Sequence, residues 1–227
     1  MTTTTPPAAR YVFDFSEGSM EMKDLLGGKG ANLAEMTRMG LPVPPGFTIS
    51  TDACRHYLEH GESPQVLGDQ VRAALERLQN LTGRKLGSPT EPLLVSVRSG
   101  AKFSMPGMME TVLDIGLNDD TVTAVAQLAG DEHFAWDSYR RLIQMFGRTV
   151  LGIDAELFEE VLAAAVVSSG VGADVDLPVP VLQDLVAQYR AIVTEQTGSD
   201  FPQDPQRQLL MAIVAVFESW NTDRARL

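Results

Sequence analysis

The chain has 227 residues, a formal net charge of −12 and 44% hydrophobic residues, among them two Trp and nine Phe. That is enough for a packed core in one large or two small domains. The acidic balance argues against nucleic acid or an anionic membrane as partner, because a binder of polyanions needs a basic stripe, but it leaves ATP open, for which a few local positive groups suffice.

Residues 1–10 are Thr- and Pro-rich, lack the apolar segment of a secretory signal, and read as a disordered tail. No apolar run reaches the roughly 18 residues of a membrane-spanning helix. Residues 11–15 alternate as a short strand. Gly27-Gly28-Lys29-Gly30 then precedes a run of helix formers, with Leu33, Met36 and either Met39 or Gly40 on one side. A Gly-rich turn opening a helix exposes backbone N–H groups at the positive end of the helix dipole, where phosphate binds readily, and Lys29 would add a point charge. The Walker A spacer and its Ser/Thr are missing. A tight turn with an exposed lysine accounts for the same residues.

Pro42, Pro44, Pro45 and Gly46 form a rigid connector to a strand over residues 47–50. Thr51 or Asp52 can cap a short helix that runs through His60 and stops at Gly61. His56 and His60 are spaced i, i+4 without a third metal ligand in view, so solvated or locally paired rings are expected. The single cysteine, Cys54, excludes an internal disulfide and a thiolate metal cluster. It fits a reducing compartment and an expected cytoplasmic location. Val71, Leu75, Leu78 and Leu81 mark a second amphipathic helix, stopped by Gly83.

A strand follows, in which Leu93, Val95 and Val97 alternate with Leu94, Ser96 and Arg98. It delivers Arg98 to its end, beside Ser99 and Gly100. Arginine offers a planar fork of donors that fits phosphate oxygens, and a Ser-Gly pair lets backbone N–H groups approach an anion closely. The ordinary account of such an arginine is a surface ion pair. Met105, Met108 and Met109 around Pro106-Gly107 suggest either an adaptable apolar surface or core filling.

From Asn118 onward helical periods take over. Helices are expected from Thr121, along the stripe Tyr139, Leu142, Ile143, Phe146 and Val150, after the cap Asp154, after Pro178, and after the Asp204-Pro205 pair. The last carries Leu209, Ile213, Val216, Phe217 and Trp220. Residues 169–177, with Gly170 and Gly172, read as a mobile surface loop. Arg141 follows Asp137 at i, i+4, so an ion pair on the helix face is the default for Arg140 and Arg141. Nothing suggests a nucleophilic triad, a carboxylate metal site or, at His133, a phosphoryl carrier. The residues alone yield a two-loop candidate site for an anion or nucleotide and no reaction.

Several stretches together resemble the amino-terminal part of the pyruvate, phosphate dikinase family. They are residues 25–36 (Leu-Leu-Gly-Gly-Lys-Gly-Ala-Asn-Leu-Ala-Glu-Met), 45–48 (Pro-Gly-Phe-Thr), 96–101 (Ser-Val-Arg-Ser-Gly-Ala), 104–109 (Ser-Met-Pro-Gly-Met-Met), 116–119 (Gly-Leu-Asn-Asp), 137–141 (Asp-Ser-Tyr-Arg-Arg) and 217–221 (Phe-Glu-Ser-Trp-Asn). The related phosphoenolpyruvate synthases usually follow the lysine with Asn and carry an acidic segment in place of 104–109. The resemblance implies an α+β fold, the partial ATP-grasp-like nucleotide-binding domain. In it, residues 11–117 and 204–227 form an α/β subdomain interrupted by a helical subdomain at 118–203. It implies the reversible conversion of pyruvate, ATP and phosphate to phosphoenolpyruvate, AMP and pyrophosphate through a phosphohistidine on another domain. Magnesium would be needed, with its ligands largely outside this chain. By matching motif, Lys29 and Arg98 would contact the ATP phosphates, and Gly27, Gly28, Gly30, Ser99 and Gly100 would shape the site.

The family continues past the point matching Leu227 into a second ATP-grasp half, a phosphohistidine domain and a pyruvate-binding barrel. These are therefore expected partners, on a longer chain or a separate one. The chain is expected either to be the ATP-binding portion of such a dikinase, not competent alone for the full reaction, or to be a truncated, non-catalytic assembly module that keeps the fold. A cut ATP-grasp face would expose apolar surface, so self-association is expected too.

Overall fold

The computed structural model describes residues 9–100 and 111–220 and is α+β in class, with short two-stranded sheets and eight α-helices among the described residues. Contacts gather the described residues into two units: residues 9–83, 99–100 and 216–220 form one, and residues 84–98 and 111–215 the other.

In the first unit, β1 (Val12–Asp14) pairs antiparallel with β2 (Phe47–Ile49), Val12 opposite Ile49 and Asp14 opposite Phe47. Helix α1 (Lys23–Arg38) buries Leu26, Gly27, Gly30, Ala31 and Ala34. This small-residue face lets its backbone come close to its neighbours. A Cβ added to Gly30 would stand 2.8 Å from the Thr48 side chain, and one on Gly18 would stand 2.8 Å from Ala34. The expected stripe of Leu33, Met36 and Met39 is therefore not the buried one: Met36 is 41% and Met39 67% exposed. Helix α2 (Thr51–His60) begins after Ser50 rather than after Thr51 or Asp52, and Gly61 closes it in the left-handed conformation. The Thr51 hydroxyl is used elsewhere, donating to the carbonyl oxygen of Asp24 at 2.6 Å. Helix α3 (Leu67–Thr82) buries Leu67, Val71, Ala74 and Leu75 and stops at a left-handed Gly83, while Leu81 of the expected stripe is exposed.

From α3, the amide of Gln70 acts as a surrogate strand edge. Its Oε1 accepts from the N–H of Tyr11 (2.7 Å) and of Val12 (3.2 Å), and its Nε2 donates to the carbonyl of Ala9 (2.7 Å). Arg10 lies 4.5 Å over the Phe13 ring. Ala9 and Arg10 are thus held by partners rather than being part of a tail; residues 1–8 lie outside the described residues.

The second unit opens with β3 (Lys85–Leu86), parallel to β4 (Pro92–Leu93), and β5 (Val95–Arg98), antiparallel to β6 (Thr111–Ile115). From Val95 to Val97 is two steps, but their partners Ile115 and Val112 are three apart, so β6 carries a bulge. Asp114 sits in that bulge with φ 58°, the left-handed region. Helices α4 (Thr121–Ala129), α5 (Glu132–Thr149), α6 (Ala155–Ser169), α7 (Val179–Thr197) and α8 (Pro205–Ser219) follow, near their expected places. Asp131 caps α5 through the N–H of Phe134, and Asp154 caps α6 through that of Glu156. Tyr139, Leu142, Ile143 and Phe146 from α5 and Leu182, Leu185 and Tyr189 from α7 are fully buried.

A buried amide, Gln208, locks β6 and its exit to the start of α8. It accepts from the N–H of Gly116 (2.9 Å) and donates to the carbonyls of Leu117 (3.0 Å) and Pro202 (2.8 Å). Asn118 caps the next turn through the N–H groups of Asp120 and Thr121 and donates to the carbonyl of Gln203 at 2.8 Å. These bonds tie residues 116–121 to the start of α8. Residues 169–177 are also better anchored than a loose loop. Leu177 is fully buried, and Asp174 pairs with Arg140 at 3.3 Å.

Candidate functional site

The Gly-rich segment does not simply open a helix. A helical turn already runs from Lys23, and the chain breaks at Gly27 (φ 70°, ψ 175°) before the helix resumes at Gly28. A residue with a Cβ would pay about 1–2 kcal/mol for that φ. Gly28, Lys29 and Gly30 are therefore the first residues of a new helical run, where backbone dipoles favour negative charge. The break has a second cause in space. A Cβ on Gly27 would lie 2.0 Å from the carbonyl oxygen of Gly100. No side chain fits there. Gly27 is the only residue type compatible with both demands at once.

The two Gly-containing stretches picked out from the sequence thus meet within one unit, Gly27-Gly28-Lys29-Gly30 on one side and Ser99-Gly100 on the other. Lys29 is exposed and has no hydrogen-bond or ion-pair partner among the described residues. Ser99 is 4% exposed, and its hydroxyl accepts from the indole N–H of Trp220 at 3.2 Å. This bond was not legible beforehand, because Trp220 reads as one more apolar residue of the last helix. Arg98, the residue before Ser99, belongs to the other unit. It ends β5 opposite Thr111, is exposed, and lacks the expected ion pair among the described residues. The Met-rich stretch at 105–109 lies outside the described residues.

The other candidates are structural. Arg140 is 2% exposed and spends its guanidinium on Asp137 (2.6 Å), Asp174 (3.3 Å) and Gln144 (3.3 Å). Arg141 makes the expected i, i+4 pair with Asp137 at 2.8 Å. His56 and His60 stack at 4.2 Å, and among the described residues no three His, Cys, Asp or Glu side chains gather as a metal cage. Burial pushes the Cys54 thiol up to about 12, which keeps it protonated and unreactive at neutral pH. A cleft of about 440 Å³ is lined by Arg10, Asp14, Glu17, Gln70 and Arg77. Its charges are spent on one another: Arg77 bonds Asp14 at 2.7 and 3.0 Å, and Arg10 pairs with Glu17. No described helix is long and apolar enough to cross a membrane.

Comparison with known proteins bears on the same stretches. The family model described as "Pyruvate phosphate dikinase, AMP/ATP-binding domain" matches residues 23–86 and 60–227. The chain is 53% identical over 222 residues to the pyruvate, phosphate dikinase of Rhizobium meliloti (strain 1021), covering 96% of this chain and 25% of that protein. It is 49% identical to the chloroplastic pyruvate, phosphate dikinase of Flaveria trinervia over 229 residues, 97% of this chain and 24% of the relative. It is 51% identical to pyruvate, phosphate dikinase 2 of Oryza sativa subsp. japonica over 211 residues, 93% and 24%. The chain spans about a quarter of the length of the curated relatives it matches. It belongs to the family of pyruvate phosphate dikinase AMP/ATP-binding domains.

Proposed function

We propose that this chain holds ATP for a pyruvate, phosphate dikinase, with the ATP phosphates seated at the Gly27–Gly100 junction. The observation that carries the proposal is the meeting of those two backbones beside an exposed Lys29 that has no ion-pair partner among the described residues. Phosphoryl transfer asks little covalent chemistry of the protein and much positioning and charge neutralisation. The helical start at Gly28 presents backbone dipoles and Lys29 supplies a mobile positive charge; Arg98 joins the proposal on its motif match, as a guanidinium whose planar fork fits phosphate oxygens. Gly27, Gly28, Gly30, Ser99 and Gly100 keep the surface free of side-chain bulk or hold its shape.

An ATP-grasp-like arrangement, completed by segments outside these residues, is part of the same proposal. So is the overall reaction, in which ATP, pyruvate and phosphate give AMP, phosphoenolpyruvate and pyrophosphate through a phosphohistidine on another domain. Mg2+ would be held largely by residues outside this chain; among the described residues no three His, Cys, Asp or Glu side chains gather as a cage for it.

Calorimetric titration with Mg-ATP tests the proposal. Lys29→Ala and Arg98→Ala should each weaken binding about tenfold or more, as loss of a charge-assisted contact does. Binding unaffected by either substitution would refute the assignment.

A further inference from the structure

We propose that Trp220 is a positioning residue for the Gly27–Gly100 junction: its indole N–H holds the Ser99 hydroxyl, and through it sets the Gly100 carbonyl against Gly27. The functional half of this inference rests on the assignment of that junction to the ATP phosphates.

An indole N–H can only donate, so Ser99 must be the acceptor. Ser99 is 4% exposed, which makes a lost partner costly to the turn it occupies. One peptide further on, the Gly100 carbonyl occupies space that a Cβ on Gly27 would need. A small shift at Ser99 therefore moves a group in direct contact with the break in α1.

Trp220 is itself held in place. Its backbone N–H donates to the carbonyl of Phe217 at 3.1 Å, closing the last turn of α8. Phe217 packs against Tyr57 at 5.6 Å, and the Tyr57 hydroxyl donates to Glu218 at 2.9 Å. Tyr57 lies on α2, whose first residue, Thr51, bonds the Asp24 carbonyl in the turn just before Gly27. The contacts close a circuit inside one unit: α1, α2, the end of α8, Ser99-Gly100, and back to Gly27. Trp220 is one member of this circuit, and its hydrogen bond to the junction runs through Ser99.

The test uses the 227-residue chain, Trp220→Phe, Ser99→Ala and the double variant. Thermal melts verify that each is folded; Trp220→Phe keeps most of the ring bulk, and Ser99→Ala removes the acceptor without touching α8. Amide hydrogen exchange, without ligand, should be several-fold faster at residues 27–30 and 99–100 in both single variants, with α3 unchanged. Exchange unchanged at those positions would overturn the inference. In the Mg-ATP titration, each single variant should raise Kd about three- to tenfold, the range of one lost buried hydrogen bond. The double variant should be no weaker than the worse single one, because both remove the same bond. Multiplying effects, or singles that bind as the parent does, would overturn it. If the parent chain binds no Mg-ATP, the ATP assignment fails while the exchange result still decides whether Trp220 positions the junction.

Discussion

The carbonyl oxygen of Gly100 occupies the place where a side chain on Gly27 would begin, 2.0 Å from its ideal Cβ. Gly27 also holds φ 70°. The two demands are separable by experiment, because Gly40 shares a positive φ of 73° with nothing within 4 Å of its ideal Cβ.

Gly40→Ala should therefore cost only the backbone strain, about 1–2 kcal/mol. Gly27→Ala adds a clash with backbone that cannot rotate away, and should cost at least about 2 kcal/mol more than Gly40→Ala, with loss of Mg-ATP binding. Urea melts of the two variants give the difference. Equal costs would mean the contact with Gly100 is absent in solution.

What could be read beforehand was local. Glycine clusters, the alternation that ends at Arg98, and caps such as Asp154 depend on neighbours in sequence, and each element they signal is present. The failures are through-space. Strand β6 escaped notice because its bulge sets the buried Val112 and Ile115 three residues apart, which breaks the period of two. The buried face of α1 is built from glycine and alanine, whose value is close approach rather than hydrophobic size, so the methionines misled. Gly170 and Gly172 suggested looseness, but Asp174 and Leu177 anchor that segment through partners far along the chain. Lys29, Ser99 and Gly100 were recognisable one by one. Their grouping, and the bond from Trp220, required the fold.

Arg140 and Arg141 are adjacent and share Asp137, yet their side chains are 2% and 53% exposed. Arg140→Ala should cost about 3 kcal/mol or more, because it removes a buried guanidinium that bonds Asp137, Asp174 and Gln144 and leaves Asp137 with Arg141 as its remaining partner. Arg141→Ala should cost under about 1 kcal/mol, as exposed pairs do. Chemical denaturation of both variants tests the contrast, and equal losses would contradict the buried network.

Burial raises the pKa of Asp114 in the bulge, against a smaller opposing pull from Arg141. The folded state then binds this proton more tightly than the unfolded chain does. Its contribution is most favourable below the unfolded value near 3.8 and becomes a penalty as pH rises through the higher folded value. Asp114→Asn removes the charge and suits the left-handed φ. It should stabilise the protein at pH 7 and do so less at pH 4. Melts at the two pH values decide it; a variant less stable than the parent at pH 7 would show that the Arg141 attraction outweighs desolvation.

The most direct measurement is an amide-resolved NMR titration of the chain with Mg-ATP, with inorganic phosphate as a second ligand. Shifts concentrated at Gly27, Gly28, Lys29, Gly30, Ser99 and Gly100, and lost in Lys29→Ala, are the predicted result. Shifts that centre instead on the cleft of Arg10 and Arg77, or a chain that binds Mg-ATP while the Gly27–Gly100 junction stays silent, would contradict it.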